Sequence, residues 1–135
     1  MTGRGARRAL ALTWCIVRRV TDPVTPDPLF GLRSGLVATL DMHIASASDS
    51  EVIVEWTSGP KHHQPMGIVH GGVYSSAIES AASLGASVAV RDRGMAAVGL
   101  VNTTHFLRSV SSGRVLVEAT ALNQGRTQQL WKVDI

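Results

Sequence analysis

The sequence has little of the chemistry that builds disulfides, metal clusters or highly charged surfaces. Cys15 is its only cysteine in 135 residues, which excludes an intrachain disulfide and a cysteine-based metal cluster and favours a reducing, cytoplasmic location. Charged residues make up only 17% of the chain and aromatic residues only 4%. The hydrophobic fraction of 44% is sufficient for the core of one folded domain and argues against intrinsic disorder.

Long apolar runs are also lacking, because none reaches the ~18–20 residues that span a bilayer. The apolar run Ala9–Val17 has paired arginines on both sides, where a signal peptide would need a small-residue cleavage site. Three prolines then follow between Pro23 and Pro28. We therefore interpret residues 1–28 as a basic, proline-terminated leader, either a disordered extension or the product of a misassigned start codon, and assign the domain to residues 29–135.

The formal charge of +3 suggests an acidic partner, but its distribution argues against one. Five of the 13 basic residues lie in the first 20 positions, where there is no acidic residue. The remaining chain carries eight basic and ten acidic residues, so its formal charge is −2. A mildly acidic body argues against a nucleic-acid-binding face, and we expect neither a nucleic-acid nor a membrane partner.

The hydrophobic pattern predicts an α+β fold. A two-residue period predicts strands over 36–44 and 51–56, joined as a hairpin by the serine-rich turn 46–50. Residues 71–90 are rich in alanine and have apolar residues at helical spacing, which predicts a helix that is buried on most sides. Three further strands are expected at about 96–106, 114–122 and 127–135. The order ββαβββ indicates an antiparallel sheet wrapped around one central helix.

The predicted helix carries a single charged residue between His70 and Arg91, namely Glu79. A carboxylate in a buried helix is costly, and proteins retain such groups mostly for function. Gly71 lies eight residues earlier near the same helix face, where its N–H at the helix start suits a developing oxyanion. Ser83 lies one turn after Glu79, and Gln64 precedes the helix. This set suits attack on an activated carbonyl, with Glu79 either as nucleophile or activating water.

Each of these residues also has a structural interpretation. Glu79 can face a solvent edge or pair with a basic residue, and His70 can simply cap the helix. His62, His63 and His70 resemble a metal set but lack a fourth ligand at suitable spacing. Nucleophile-elbow, Walker A and Rossmann motifs are absent from the sequence. Arg108 and Arg126 can each be either an ordinary solvated side chain or a phosphate clamp.

Three stretches resemble the hotdog-fold acyl-CoA thioesterases: HQPMGIVHGGVYSSAIESAASLGA, VGLVNTTHFLRSVSSGRV and LNQGRTQQLWKVDI. The similarity is to the phenylacetate-degradation type and to the 4-hydroxybenzoyl-CoA thioesterases with a helix glutamate. The pattern Gln-Pro-x-Gly-x-x-His-Gly-Gly followed by Glu-Ser is closer still to the 1,4-dihydroxy-2-naphthoyl-CoA thioesterases. The resemblance covers roughly residues 29 to 135. It implies hydrolysis of an acyl- or aroyl-CoA without a cofactor, since CoA is part of the substrate.

The resemblance also implies roles for individual residues and an assembly. Glu79 matches the catalytic carboxylate, Gly71 the backbone donor, Gln64 the side chain near the thioester, and His70 and Ser83 the flanking polar positions. Arg108 and Arg126 fall in segments that approach the CoA nucleotide or the subunit interface. Relatives share active sites between two subunits whose sheets join edge to edge, so a homodimer or homotetramer is expected.

One departure from the family leaves a second function class open. Family members continue beyond the segment that matches Trp131–Ile135 with a further strand, so the final strand is expected to be missing. A non-catalytic or truncated hotdog module that binds acyl-CoA is therefore the alternative. A hotdog dehydratase, which would hold an acyl carrier protein ester, fits the motif less well.

Overall fold

The computed structural model describes residues 9–19 and 35–135, and these residues form an antiparallel sheet around one long helix. The strands are β1 (Ala9–Arg19), β2 (His43–Ala47), β3 (Glu51–Ser58), β4 (Met95–Phe106), β5 (Gly113–Gln124) and β6 (Gln128–Asp134). The helices are α1 (Gly35–Thr39) and α2 (Gly71–Val88). The six-stranded sheet has the order β2-β3-β5-β6-β1-β4, and all its pairings are antiparallel. The predicted α+β hotdog architecture is confirmed, as are the hairpin β2–β3, the helix and the last three strands.

The prediction that residues 1–28 lie outside the domain is wrong for β1. This strand pairs on one side with β6 and on the other with β4, in the sheet position that was expected to be empty. Its inward-facing side chains are buried: Ala9, Ala11, Thr13, Cys15 and Val17. They are small, which lets the strand pack closely under α2. The rest of the predicted leader lies outside the described residues.

The prediction of a strand over 36–44 is wrong in its first half. Gly35–Thr39 is a helical turn in which Thr39 Oγ1 donates to the Gly35 carbonyl, and the strand begins only at His43. Val37 and Leu40 pack against the core, three residues apart on one helical face. Asp41, with a φ of 48°, ends the turn. The apolar alternation in this segment therefore reflects a helical turn followed by a strand.

Helix α2 lies against the sheet and is its principal packing partner. Its sheet-facing residues are buried, among them Ala77, Ile78 and Ala81. At Gly85 a Cβ atom would lie 2.4 Å from Trp131 Cη2, so only glycine allows the helix to rest on this fully buried indole. Neither helix within the described ranges is long and apolar enough to cross a membrane.

Candidate active site at the start and middle of helix α2

The first turn of α2 has a capped backbone and one free donor. His70 has extended dihedral angles (φ −66°, ψ 136°), and its Nδ1 accepts a hydrogen bond of 2.8 Å from the Gly72 N–H. Within the described part of the chain, the Gly71 N–H has no hydrogen-bond partner, as expected for the first residue of a helix. The helix dipole adds partial positive charge at this point, so Gly71 presents a donor suited to a developing negative charge.

The loop before α2 is held in place by His62, which is only 2% exposed. Its Nδ1 accepts from the Gly59 N–H at 3.1 Å, and its Nε2 lies 2.8 Å from the Leu40 carbonyl, to which it donates. The Nε2 atom of His63 lies 3.3 Å from the hydroxyl oxygen of Ser58. Both nitrogens of His62 are therefore engaged in structural contacts. Within residues 9–19 and 35–135, no group of three or more potential metal ligands comes together.

Two cavities flank the start of α2 and contain four of the predicted residues, whereas Glu79 and Ser83 lie further along the helix. A cavity of about 300 Å³ brings Gln64, Gly71 and Arg108 together, with the aromatic rings of Tyr74 and Phe106 in its wall. A second cavity of about 380 Å³ is lined by His70 and Lys61 on the other side. Lys61 is already paired with Asp41 at 2.5 Å, and this hydrogen bond and charge lower the pKa of the Asp41 carboxyl. His70 therefore caps the helix and faces away from the cavity that contains Gln64.

Two turns into α2, Glu79 is held by a hydroxyl group. Ser83 Oγ donates a hydrogen bond of 2.7 Å to Glu79 Oε1. Cys15 of β1 reaches the same hydroxyl, with its Sγ 3.9 Å from Ser83 Oγ. Burial, and to a smaller extent the Glu79 charge, raise the pKa of the Cys15 thiol from 9.0 to about 11. The thiol is thus a neutral neighbour of the carboxylate.

Glu79 is half-buried, so the helix predicted to be buried on most sides leaves its single acid partly accessible. Its side chain lies against the backbone of β4 at Gly99, where a Cβ atom would come within 2.7 Å of Oε1. Further along β4, Asn102 Nδ2 donates to the Ser75 carbonyl at 3.1 Å. The Phe106 ring then lies against Gly71, where a Cβ would meet Cζ at 3.0 Å. The polar face of α2 and the inner face of β4 therefore form the two walls of one groove.

Arg126 does not join this group. It is exposed in the turn between β5 and β6, and it is absent from the walls of both cavities described above. Sequence reasoning missed the β4 contribution from Gly99, Asn102 and Phe106. Their positions depend on how β4 pairs with β1, and local sequence patterns do not reveal that pairing.

Comparisons with known proteins identify the family and the fold. The family model described as Thioesterase superfamily matches residues 66–135. A protein of Mycobacterium tuberculosis named "Putative esterase" is 49% identical over 78 residues, which is 56% of this chain and 56% of that protein. A 1,4-dihydroxy-2-naphthoyl-CoA hydrolase of Listeria monocytogenes is 33% identical over 101 residues, covering 75% of this chain and 81% of that protein. The chain spans about half the length of the first of these curated relatives.

A solved structure extends the comparison to three dimensions. The structure of the Mycobacterium tuberculosis esterase matches with a TM-score of 0.65 and 29% identity, over 73% of this chain and 94% of that one. The family match starts at Met66 and includes the whole of α2 together with β4, β5 and β6. It therefore contains both the Gly71 donor and the Glu79 carboxylate. On the combined evidence of the family match, the relatives and the fold, this chain belongs to the Thioesterase superfamily.

Proposed function

We propose that this protein hydrolyses an acyl- or aroyl-CoA thioester to the free acid and CoA, with Glu79 as the catalytic carboxylate and the Gly71 N–H as the oxyanion donor. The observation that carries the proposal is the combination on one helix of a free N-terminal N–H and a hydroxyl-held carboxylate. Family membership supports the reaction class. No cofactor is needed, because the thioester already has a good leaving group.

The chemistry follows from these two groups. The Gly71 N–H and the helix dipole stabilise negative charge on the thioester oxygen as the carbonyl carbon becomes tetrahedral. Glu79 either attacks the carbon, giving an acyl-glutamate anhydride that water then hydrolyses, or takes a proton from an attacking water. In both routes the carbon–sulfur bond breaks, and CoA leaves as a thiolate that acquires a proton. The Ser83 hydroxyl orients the carboxylate throughout.

The spacing of the two groups favours a site built from two copies of the chain. Eight residues separate Gly71 from Glu79, about 12 Å along a helix at 1.5 Å per residue. Donor and nucleophile must each lie about 3 Å from one carbonyl group, and a glutamate side chain leaning toward the helix N-terminus spans only part of the gap. Gly71 of one copy and Glu79 of a second copy therefore form the better pair.

The exposed edge of β4 offers the surface for this assembly. In the sheet formed by the described residues, β4 is an edge strand that pairs only with β1. Val98, Leu100 and Val101 are each about half exposed on it, with values of 51%, 50% and 49%. Long apolar edges of this kind are normally covered by another strand. Antiparallel pairing of two β4 strands about Asn102 and Thr103 would bring Gly99 of one copy opposite Phe106 of the other.

That pairing brings the two halves of the proposed site together. Gly99 lies beside Glu79, and Phe106 lies beside Gly71, so each Glu79 approaches the Gly71 of the other copy. The sheets of the two copies then continue edge to edge, giving a homodimer with two equivalent sites. Two such dimers can combine further into a homotetramer.

The cavity at the start of α2 supports a CoA ester as the substrate. Arg108 supplies a cation for a phosphate or for the CoA nucleotide, and Gln64 supplies an amide near the thioester. Arg126 remains a candidate nucleotide contact only through a second copy. The rings of Tyr74 and Phe106 lie 6.1 Å apart at an angle of 30° and provide an aromatic wall. This wall favours an aromatic acyl group, in line with the naphthoyl-CoA hydrolase among the relatives.

The alternative of a non-catalytic acyl-CoA-binding module is weaker with β1 in the sheet. That alternative was based on an unfilled sheet position next to β6, and β1 occupies this position. A panel of aromatic and short aliphatic acyl-CoA esters separates the hypotheses. Turnover with a preference for aromatic esters supports an aroyl-CoA substrate, equal turnover removes that preference, and binding without turnover of any ester supports the binding module.

Replacing Glu79 with glutamine tests the assignment of the acid. The E79Q variant keeps the shape and can still accept from Ser83, but it cannot attack or act as a base. We expect turnover of the best ester to fall by at least about 10²-fold, with thermal unfolding unchanged. Glu118→Gln, on the exposed face of β5, is the matched control and should retain activity. Full activity in E79Q would overturn the proposed role of Glu79.

A further inference from the structure

The inner face of β4 is set by a bulge opposite the middle of α2. Inward-facing residues of β1 pair with Ala97, Gly99, Asn102, Thr104 and Phe106 of β4. The step from Gly99 to Asn102 is three residues instead of two, because the register shifts between Trp14 and Cys15 and leaves Leu100 unmatched. Side chains normally alternate between the two faces of a strand, so residues 99 and 102 would point to opposite faces. The extra residue at the bulge places both on the same face. The bulge therefore turns both Gly99 and Asn102 toward the helix.

At the residue before this bulge, the strand has no side chain to separate it from Glu79. A Cβ built on Gly99 would lie 2.7 Å from Glu79 Oε1, 3.0 Å from its Cγ and 3.3 Å from its Cδ. The Cγ contact matters most, because moving this atom requires rotation of the whole Glu79 side chain about its Cα–Cβ bond. Glycine's φ here lies outside the left-handed region, so its role is to leave space rather than to adopt an unusual backbone conformation.

We propose that Gly99 is a positioning residue for catalysis: its bare backbone, held in register by the Leu100 bulge, forms the seat against which the Glu79 side chain is fixed. This inference rests on the proposed role of Glu79 in thioester hydrolysis. Two contacts then define the carboxylate, the Ser83 hydroxyl along the helix and the Gly99 backbone across the groove. Any larger residue at position 99 displaces the carboxylate from Ser83 and from the thioester carbon.

Gly99→Ala is the direct test, because it adds one methyl group at the contact. A displacement of about 1 Å at a reacting group typically costs about 10²-fold in rate, so we expect kcat to fall by about that factor with KM nearly unchanged. Gly59→Ala is the matched control, since a Cβ there meets no atom within 4 Å. G59A should keep wild-type kcat and thermal stability. A kcat for G99A within twofold of wild type overturns the proposal.

A double-variant comparison distinguishes displacement of Glu79 from a general defect. If G99A moves the carboxylate away from Ser83, adding Ser83→Ala causes little further loss, although S83A alone slows the wild-type enzyme. If the double variant loses kcat by the product of the losses in G99A and S83A, the two substitutions act independently and the proposal is overturned. If G99A alone does not fold, the G99A/E79A double variant should fold, because the side chain that meets the new methyl group is gone. A double variant that also fails to fold overturns it too.

The outcome is separable from the test of the proposed function. An active E79Q variant contradicts the role of the acid, whatever G99A shows. An inactive E79Q combined with a fully active G99A supports the catalytic role of Glu79 and overturns the positioning role of Gly99. Loss of kcat in both variants, with non-additive S83A and G99A, supports both proposals.

Discussion

The Ser83 hydroxyl donates to Glu79 Oε1 at 2.7 Å, across one turn of helix α2. A hydroxyl group has one proton, so Ser83 cannot also donate to Cys15, whose Sγ lies 3.9 Å from the same oxygen. The Cys15 S–H must therefore be the donor in that weaker contact. A chain of donors thus runs from β1 through Ser83 to the carboxylate, and it connects the N-terminal strand with the proposed catalytic residue.

The first prediction concerns the Ser83 hydroxyl. Hydrogen bonds to charged groups are worth about 1.5–3 kcal/mol, so we expect Ser83→Ala to lower kcat by at least about tenfold with a smaller effect on KM. Steady-state hydrolysis of the best CoA ester measures both constants. Ser80→Ala, next to Glu79 on the same helix, is the control and should leave kcat unchanged. An S83A variant as fast as S80A would remove Ser83 from the mechanism.

The second prediction uses Cys15 as a reporter of the Glu79 charge. Burial and the nearby carboxylate raise the pKa of this thiol to about 11, and it is the only cysteine in the chain. Glu79→Gln removes the negative charge that opposes thiolate formation, so the thiol pKa should fall, while burial, the larger cause, still holds it above its ordinary value. The pH dependence of thiol alkylation in the folded protein measures the change. An identical titration in wild type and E79Q would contradict the placement of the carboxylate beside Cys15 and Ser83.

The raised pKa of the Cys15 thiol makes the free energy of unfolding depend on pH in the alkaline range. The folded-state pKa of about 11 exceeds the ordinary value of 9.0, so the folded protein retains a proton that the unfolded chain releases. The contribution of Cys15 to stability is therefore complete below about pH 9 and is lost as the pH rises through 11. Denaturant unfolding across this range should show a steeper alkaline decline for wild type than for Cys15→Ala. Equal slopes would contradict the raised thiol pKa.

The fourth prediction tests whether β1 belongs to the domain. Ala11 is buried in β1 at 1% exposure, while its neighbour Leu12 points outward at 44%. Ala11→Asp would bury an unpaired charge, and we expect it to cost more than about 3 kcal/mol or to prevent folding. Leu12→Asp should be tolerated far better. Comparable thermal stability of the two variants would show that residues 9–19 are not packed in the sheet.

Much of the site was predictable because it lies on one helix. Helical spacing alone related Gly71, Glu79 and Ser83, and the structure has the last two in direct contact. The extents of α2, β4, β5 and β6 follow from local patterns that agree with their tertiary surroundings. His70 is the N-cap of α2, which is the structural one of the two interpretations that the sequence allowed for it.

The missed features depend on distant pairing or on ambiguous patterns. In β1 both faces are apolar, small inward and large outward, so the run has no polar alternation and resembles a leader. Its partners β4 and β6 lie far along the chain, and local sequence does not report them. The role of Gly99 depends on the same pairing and on the bulge. In α1, the alternating residues 36–40 fit a helical turn as well as a strand.

In the proposed dimer, the Gly71 donor and the Glu79 acid of one site come from two copies of the chain. Gly71→Pro removes the N–H at a helix position that tolerates proline, and His70 already has the extended conformation required before proline. Gly71→Ala keeps the N–H with a similar contact to Phe106 and is the control. We expect G71P to be about 10²–10³-fold slower than G71A, as for the loss of one oxyanion donor.

Mixing the G71P and E79Q variants is the most direct measurement. After dissociation and reassociation, half of the dimers are mixed, and each mixed dimer has one site free of both substitutions if the sites are shared. We expect recovery of about a quarter of wild-type activity from two nearly inactive proteins, because half of the dimers are mixed and one of the two sites in each is intact. No recovery, in a mixture shown to contain mixed dimers, would contradict the shared site.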